Sequence, residues 1–146
     1  MNTLTEEFLH KYNLWIEDGG ATTINGFKKL PKEEQEFLLD YLNDLSVYER
    51  ITVNNQNYIL VHSLPDNLQN GNDLNYQIEE IIFGRPDFTA SWNQEDIYII
   101  GHTPTFKIPG AESGKIYRRN NLIDIDCGCV TGHALCAYCI DTGNVL

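Results

Sequence analysis

The spacing of hydrophobic and polar residues divides the chain into a helical first third and a remainder of strands and loops. Apolar residues recur on one helical face from a capping box at Thr3 and Glu6 to Gly19-Gly20, which should end this first helix. A second helix is predicted to begin at Pro31 and to carry an acidic first turn. The apolar positions are Leu4, Phe8, Tyr12, Trp15 and Ile16 in the first helix and Phe37, Leu38, Tyr41, Leu42 and Leu45 in the second.

From about residue 47 the pattern changes to the alternation that is typical of β-strands. Residues 47–53 and 58–61 lie on either side of the turn-forming residues 54–57, so they predict a β-hairpin that leads into His62. A polar loop over residues 63–72 follows.

The rest of the chain predicts one more helix, a buried strand and a second hairpin. Asp73 is expected to cap a short helix, and residues 97–100 form an apolar run of strand length that stops at Gly101-His102. Residues 122–127 and 134–140 are predicted to pair around Gly128 and Gly132. The apolar residues of the short helix are Leu74, Ile78, Ile81 and Ile82. The expected fold class is therefore α+β.

Composition and charge restrict the classes of function. A length of 146 residues predicts a single domain, and 10 Lys and Arg against 21 Asp and Glu give a net charge of −11. This acidic balance disfavours binding to nucleic acid or to an anionic membrane surface. The chain has no apolar run long enough to span a bilayer and no signal-peptide pattern at its start, so we expect a cytoplasmic location.

Two histidines follow apolar strands directly. His62 comes after one predicted strand and His102 after another, and each is followed by a loop that contains proline. Strand ends are where a rigid scaffold presents functional side chains, and imidazole is a common ligand of Zn, Mn and Fe. Gly101 would allow the backbone to approach closely beside His102. The alternative is two partly buried histidines whose nitrogens form hydrogen bonds to the backbone.

An isolated arginine and a group of cysteines carry further candidate chemistry. Arg85 could bind a phosphate or carboxylate through two parallel hydrogen bonds, or could form an ion pair with Asp87 or another local carboxylate. The four cysteines, which all fall within residues 127–139, could bind zinc or could be small buried apolar side chains. Cys136 and Cys139 lie three residues apart on a predicted strand and therefore point to opposite faces, which favours the second interpretation; the other two cysteines are Cys127 and Cys129, where a strand enters a turn.

Five segments in a fixed order resemble a known family. They are Leu14 to Thr22, Tyr58 to His62, Phe83 to Phe88, Gly101 to Thr105 with the motif Gly-His-Thr-Pro, and Asn121 to Gly128. On these segments the chain resembles the C-terminal portion of calcineurin-like metallophosphoesterases, specifically bacterial-type serine/threonine protein phosphatases. The resemblance implies a partial fold of that family, with a mostly antiparallel second sheet and flanking helices.

The resemblance also implies roles for three residues. His62 and His102 would ligate the same ion of a divalent metal pair of Mn, Fe or Zn, and Arg85 would bind the substrate phosphate. The substrate would be a phosphoprotein or a small phosphoester. His133 matches no ligand of the family and is expected to be exposed in a turn.

The first three motifs of the family are absent from the 146 residues; they are Gly-Asp-x-His-Gly, Gly-Asp-x-x-Asp-Arg-Gly and Gly-Asn-His-Glu. They supply the carboxylate that bridges the two metal ions, so we expect weak or absent metal binding and no turnover by this chain alone. The candidate replacement carboxylates are Asp66, Asp124 and Asp126.

The resemblance implies that residues 1–146 form one domain, which corresponds to the C-terminal part of the family's domain. Three interpretations of its function follow. The chain is an inactive phosphatase fragment, or a partner polypeptide supplies the missing motifs, or the chain is a noncatalytic interaction or zinc-binding module. Sheet surface without its covering layer predicts a homodimer.

Overall fold

The computed structural model describes residues 5–66, 77–90 and 95–146. The chain divides into two compact units, Met1–Leu45 and Ser46–Leu146. The first unit is helical and the second contains a five-stranded mixed sheet, which confirms the α+β class. Within the described ranges, no helix is long and apolar enough to cross a membrane.

The first unit opens with helix α1, Glu6–Trp15. Its N-cap is Thr5, whose side chain accepts a hydrogen bond from the Phe8 N–H at 3.2 Å. The predicted cap at Thr3 lies outside the described residues. The helix axis breaks in the π-helical turn Ile16–Gly20, where Gly19 has a φ of 100° that favours glycine. The chain then resumes as helix α2, Ala21–Phe27, which the apolar pattern did not predict.

Helix α3, Lys32–Asn43, begins after Pro31 as predicted. The acidic side chains in its first turn interact favourably with the positive end of the helix dipole. Its predicted apolar stripe is exposed, since Phe37 is 74% and Tyr41 55% accessible. Helices α1 to α3 contain no buried residue, so in the described part of this unit they do not enclose a core of their own.

The second unit is built on one open sheet in the order β1-β2-β3-β5-β4. The outer pairs β1–β2 and β4–β5 are antiparallel, and the inner pairs β2–β3 and β3–β5 are parallel. The described sheet is therefore mixed and not mostly antiparallel. The strands are β1 Tyr48–Val53, β2 Gln56–Val61, β3 Ile97–Ile100, β4 Tyr117–Arg119 and β5 Leu122–Asp124.

The first predicted hairpin is confirmed and the second is wrong. Asn54 and Asn55 have φ values of 52° and 63°, which suit the two-residue turn between β1 and β2. In the second case β5 pairs with the preceding strand β4 through a turn at Asn120, not with residues 134–140. Residues 134–140 form only isolated bridges, because a short 3₁₀ turn follows β5 instead of a hairpin turn.

Apolar side chains are buried on both faces of the sheet. Helix α4, Ile78–Phe83, packs against one face through Ile81, and its N-cap is Gln77 in a capping box with Glu80. The helix begins later than predicted, and Asp73 and Leu74 lie outside the described residues. The core of this face contains Ile59, Val61, Leu64, Ile81, Tyr98, Ile100 and Leu122, and that of the other face Tyr58, Ile99 and Ile123.

Candidate metal centre

Two adjacent parallel strands bring the predicted histidines together. Strands β2 and β3 run in the same direction, so their carboxyl ends lie at the same edge of the sheet. The Gly101 N–H donates to the His62 carbonyl at 3.0 Å, which continues the pairing past the strands. His62 Nε2 lies 3.1 Å from His102 Nδ1, and the ring centroids are 4.9 Å apart. At 3.1 Å the two ring nitrogens are also within hydrogen-bond distance of each other, and the Phe83 backbone carbonyl lies near His102.

His102 occupies a strained position in the backbone. Its φ is 68°, in the left-handed region that non-glycine residues rarely adopt. The Thr103 N–H donates to the Gly101 carbonyl at 2.8 Å, so His102 is at the centre of a tight turn. Strain of this kind is maintained only when the surrounding structure imposes it, and it occurs frequently at functional sites.

The surroundings of His102 favour the neutral imidazole. Burial, then the neighbouring His62 and then Arg85 lower the pKa of His102, while Asp126 and the Phe83 backbone carbonyl oppose this shift. His102 Nε2 is buried and has no hydrogen-bond partner of normal geometry among the described residues. A neutral imidazole offers a lone pair, which is the form that binds metal ions.

The spacing of the two nitrogens fits a single metal ion. Two nitrogens that bind one ion at about 2.1 Å lie about 3.0 to 3.4 Å apart for bond angles between about 90° and 109°. The observed 3.1 Å between His62 Nε2 and His102 Nδ1 falls in this range. The remaining buried nitrogen of His102 could then be satisfied as metal-bound histidines usually are, by a nearby backbone carbonyl. The pair therefore fits as two ligands of one divalent ion.

Arg85 lies beside the histidine pair and does not form the local ion pair. Its Nη1 donates to Thr103 Oγ1 at 2.9 Å, next to His102, and its backbone N–H donates to the Asp66 carboxylate. The Asp87 carboxylate instead accepts hydrogen bonds from the Thr89 N–H and hydroxyl. Within residues 5–66, 77–90 and 95–146, Arg85 forms no ion pair, and the residue is exposed.

Gly84 positions this arginine, and sequence analysis missed it. A Cβ at Gly84 would overlap the backbone oxygens of Leu64 and Glu80, so only glycine lets the loop after β2 approach the end of α4. Gly101 is less restricted than expected, because a Cβ there would meet the Asp126 Cβ at an ordinary 3.6 Å. The only sequence signal at Gly84 was its position after an apolar helical segment. Such a glycine indicates the end of a helix, but it does not indicate close contact with another segment.

The three candidate carboxylates have different partners. Asp66 binds the Arg85 backbone, whereas Asp126 acts on His102 and accepts the Gly128 N–H at 3.0 Å. Asp124 is fully buried; its Oδ1 accepts the Asp126 N–H at 2.9 Å and its Oδ2 has no partner among the described residues. Burial raises the pKa of Asp124 to about 8. Of the three carboxylates, Asp126 is thus the one that acts on His102.

The described residues do not complete a metal site by themselves. In the part of the chain that the structure describes, no group of three or more His, Cys, Asp or Glu side chains is arranged to hold a metal ion. The four cysteines are free thiols, and only Cys127 is buried. His133 is exposed after the 3₁₀ turn, and its ring lies 4.6 Å from that of Phe106.

The edge of the sheet thus presents two imidazoles, one guanidinium and one carboxylate. The parallel pairing of β2 with β3 and of β3 with β5 brings the histidines and Asp126 to this edge, and the bond to Thr103 places Arg85 there. No protein-family model and no curated protein matches this chain.

Proposed function

We propose that His62, His102 and Arg85 form the metal- and phosphate-binding part of a phosphoester hydrolase site of the calcineurin-like, bacterial serine/threonine phosphatase type. The observation that carries this proposal is the 3.1 Å separation of His62 Nε2 and His102 Nδ1 at the ends of adjacent parallel strands. Arg85 donates a hydrogen bond to Thr103, the residue that follows His102 in the chain. The site would therefore combine two nitrogen ligands for a metal ion with a guanidinium that can bind an anion.

The histidines would hold one divalent ion. A bound ion would neutralise charge on phosphoryl oxygens and make a bound water nucleophilic at neutral pH. The lowered pKa of His102 keeps its lone pair free of protons, and exposed His62 leaves the pair accessible to solvent. The hydrogen bond from the Gly101 N–H to the His62 carbonyl would fix the backbone beside both rings. The tight turn at His102 would add to this restraint.

Arg85 would bind the phosphate group of the substrate. The bond to Thr103 uses one of the five N–H donors of the guanidinium, so several remain for phosphoryl oxygens. The Asp66 carboxylate holds the backbone of Arg85 and leaves its side chain directed by Thr103. A phosphoprotein or a small phosphoester is the class of substrate that this arrangement suits.

The missing metal ligands would come from another polypeptide segment. Two imidazoles cannot hold two ions, and the three motifs that supply the bridging carboxylate in the family are absent from the sequence. We therefore propose that this chain alone binds a divalent ion weakly and does not turn over phosphoesters. Added polypeptide that carries those motifs would restore hydrolysis.

Titration with Mn²⁺ tests the ligand assignment directly. We expect His62→Ala and His102→Ala each to weaken Mn²⁺ binding by roughly tenfold or more, because each removes one of the nitrogen ligands. His10→Ala is the matched control, since His10 lies in α1 of the other unit and is exposed. Equal Mn²⁺ affinity in the wild type and in His102→Ala would overturn the assignment.

Hydrolysis of an aryl phosphate with Mn²⁺ tests the incomplete site. We expect no turnover until a polypeptide with the three missing motifs is added, and we expect Arg85→Ala to weaken inhibition by inorganic phosphate without changing Mn²⁺ binding. If the chain alone hydrolyses the aryl phosphate and His102→Ala abolishes this activity, His102 is a metal ligand but the site is not incomplete. If the activity survives in His102→Ala, both the ligand assignment and the incomplete site are refuted.

A further inference from the structure

The turn that carries His102 is held on both sides by the residues that follow strand β5. Before the turn, at the end of β3, the Ile125 N–H donates to the Ile100 carbonyl at 2.9 Å. After the turn, the Thr105 N–H donates to the Asp126 carbonyl at 2.8 Å. His102, with its positive φ, lies between these two bonds. The segment that follows β5 therefore fixes both ends of the turn.

Asp126 is itself fixed by a neighbouring side chain. Its N–H donates to Asp124 Oδ1 at 2.9 Å, and its own carboxylate accepts the Gly128 N–H at 3.0 Å. A Cβ at Gly101 would lie 3.6 Å from the Asp126 Cβ, so Asp126 also lies close to the residue that precedes His102. A shift of Asp126 would therefore be passed directly to the turn.

The carboxyl group of Asp124 is unfavourable at its position in the core. Asp124 is 0% exposed in β5, where it lies opposite Ile100 of β3. Its Oδ2 is buried and has no hydrogen-bond partner among the residues that the structure describes. A buried polar atom without a partner costs free energy, and an apolar side chain at this position would avoid that cost. An apolar side chain would, however, lose the bond to the Asp126 N–H.

We propose that Asp124 is a positioning residue for His102. Its Oδ1 holds the Asp126 amide, and the Asp126 carbonyl holds the Thr105 amide. The turn closed in this way keeps the His102 ring beside that of His62. The consequence for metal binding rests on the proposed function, because a displaced His102 ring would no longer share an ion with His62. The position of the ring itself can be measured without any metal.

Two substitutions separate the acceptor oxygen of Asp124 from its shape and charge. Burial raises the pKa of Asp124 to about 8, so its carboxyl group is mostly uncharged at neutral pH. Asp124→Asn is therefore similar in shape and charge and keeps an acceptor oxygen, whereas Asp124→Val removes the acceptor. Leu122→Ala is the matched control, because Leu122 is 1% exposed on the same strand and the same face, and its truncation leaves the acceptor in place.

NMR spectra of the imidazole groups, recorded on the full chain without metal, test the position of His102. Its signals are assigned by their absence in His102→Ala. We expect these signals to shift in Asp124→Val and to stay in place in Asp124→Asn and Leu122→Ala. The signals of His10, which is exposed in the other unit, should stay in place in every variant.

Titration with Mn²⁺ tests the consequence for the site. Asp124→Val should weaken Mn²⁺ binding by roughly tenfold, as expected when a metal ligand loses the group that orients it. Asp124→Asn should bind Mn²⁺ as the wild type does. If the wild type binds no Mn²⁺, the proposed function fails, and the His102 signals still decide whether Asp124 positions the ring.

Unchanged His102 signals in Asp124→Val would overturn the proposal. So would an equal shift in Asp124→Asn, which keeps the acceptor, or in Leu122→Ala, which only loses packing. If Asp124→Val does not fold, hydrogen exchange of the wild type decides. The Asp126 and Thr105 amides should then exchange at least about tenfold more slowly than in the unfolded chain, and exchange at the unfolded rate would overturn the proposal.

Discussion

His102 differs from the other non-glycine residues that have a positive φ. Among the described residues four have such a φ, and three of them are asparagines, Asn54, Asn55 and Asn120, in hairpin turns. Asparagine tolerates this conformation because its short side chain can bond locally, whereas His102 adopts it in the tight turn that follows β3. An imidazole is retained here at a cost in backbone strain, which is consistent with a functional role for His102.

Substitution of His102 separates strain from ligand loss. We expect His102→Gly to be more stable than His102→Ala by about 1 kcal/mol, because glycine adopts a positive φ without the clash of a Cβ. Both variants should lose Mn²⁺ binding equally. Urea unfolding and Mn²⁺ titration of the two proteins measure these effects. Equal stability of the glycine and alanine variants would show that the backbone relaxes at this position.

Asp124 should make stability depend on pH. Burial raises the pKa of its carboxyl group from 3.8 to about 8, so between these values the folded state holds a proton that the unfolded state releases. The contribution of Asp124 to the free energy of unfolding is therefore most favourable below pH 3.8, where the carboxyl group is protonated in both states. This contribution is lost as the pH rises towards about 8.

Asp124→Asn tests this sign, because an amide cannot ionise. The free energy of unfolding of the wild type relative to Asp124→Asn should fall between pH 5 and pH 8, and the exposed Asp141→Asn is the control. A constant difference between wild type and Asp124→Asn across this range would mean that Asp124 is ionised in the folded state.

At the scale of elements, the loop after β2 and the end of α4 are held close together. Ser63 Oγ donates to the Gly84 carbonyl at 2.5 Å, and the Asp66 carboxylate accepts the next N–H, that of Arg85. The glycine at position 84 permits this approach, and the approach places the guanidinium near the histidines.

Gly84→Ala should therefore disturb both folding and the arginine. We expect a loss of about 1–3 kcal/mol of stability, because the new methyl group would displace backbone and not a flexible side chain. Gly101→Ala is the matched control, with an ordinary contact of 3.6 Å to Asp126 and a much smaller expected loss. Chemical denaturation of the two variants gives the comparison, and equal losses would contradict the role of Gly84.

At the scale of the whole molecule, the expected homodimer stays a prediction. Apolar side chains on one face of the sheet remain partly exposed, among them Ile51, Val53 and Ile97, and β1 is an edge strand of six residues. Sedimentation equilibrium should give twice the monomer mass, because such surfaces are normally covered by another chain. A monomeric mass across the micromolar range would refute this expectation.

The sequence by itself determined the features that neighbouring residues encode. The start of α3 after Pro31, the β1–β2 hairpin with its Asn54-Asn55 turn, and the strand β3 all follow from spacing within about ten residues. The second hairpin was predicted wrongly, because Gly128 and Gly132 after β5 suggested a hairpin turn. In the structure β5 pairs with the preceding strand, β4. Helix α2 was not predicted, because Gly19 indicated the end of a helix, whereas in the structure it lies in a kink between α1 and α2.

Only the tertiary structure decided how the candidate site is assembled. His62 and His102 are 40 residues apart, and no local pattern states that their strands are parallel neighbours. The bond between Arg85 and Thr103 and the burial of Asp124 likewise arise from packing between distant segments. The physical reason is one of range: side-chain alternation is set by the geometry of one strand, whereas strand pairing depends on which surfaces the whole chain buries together.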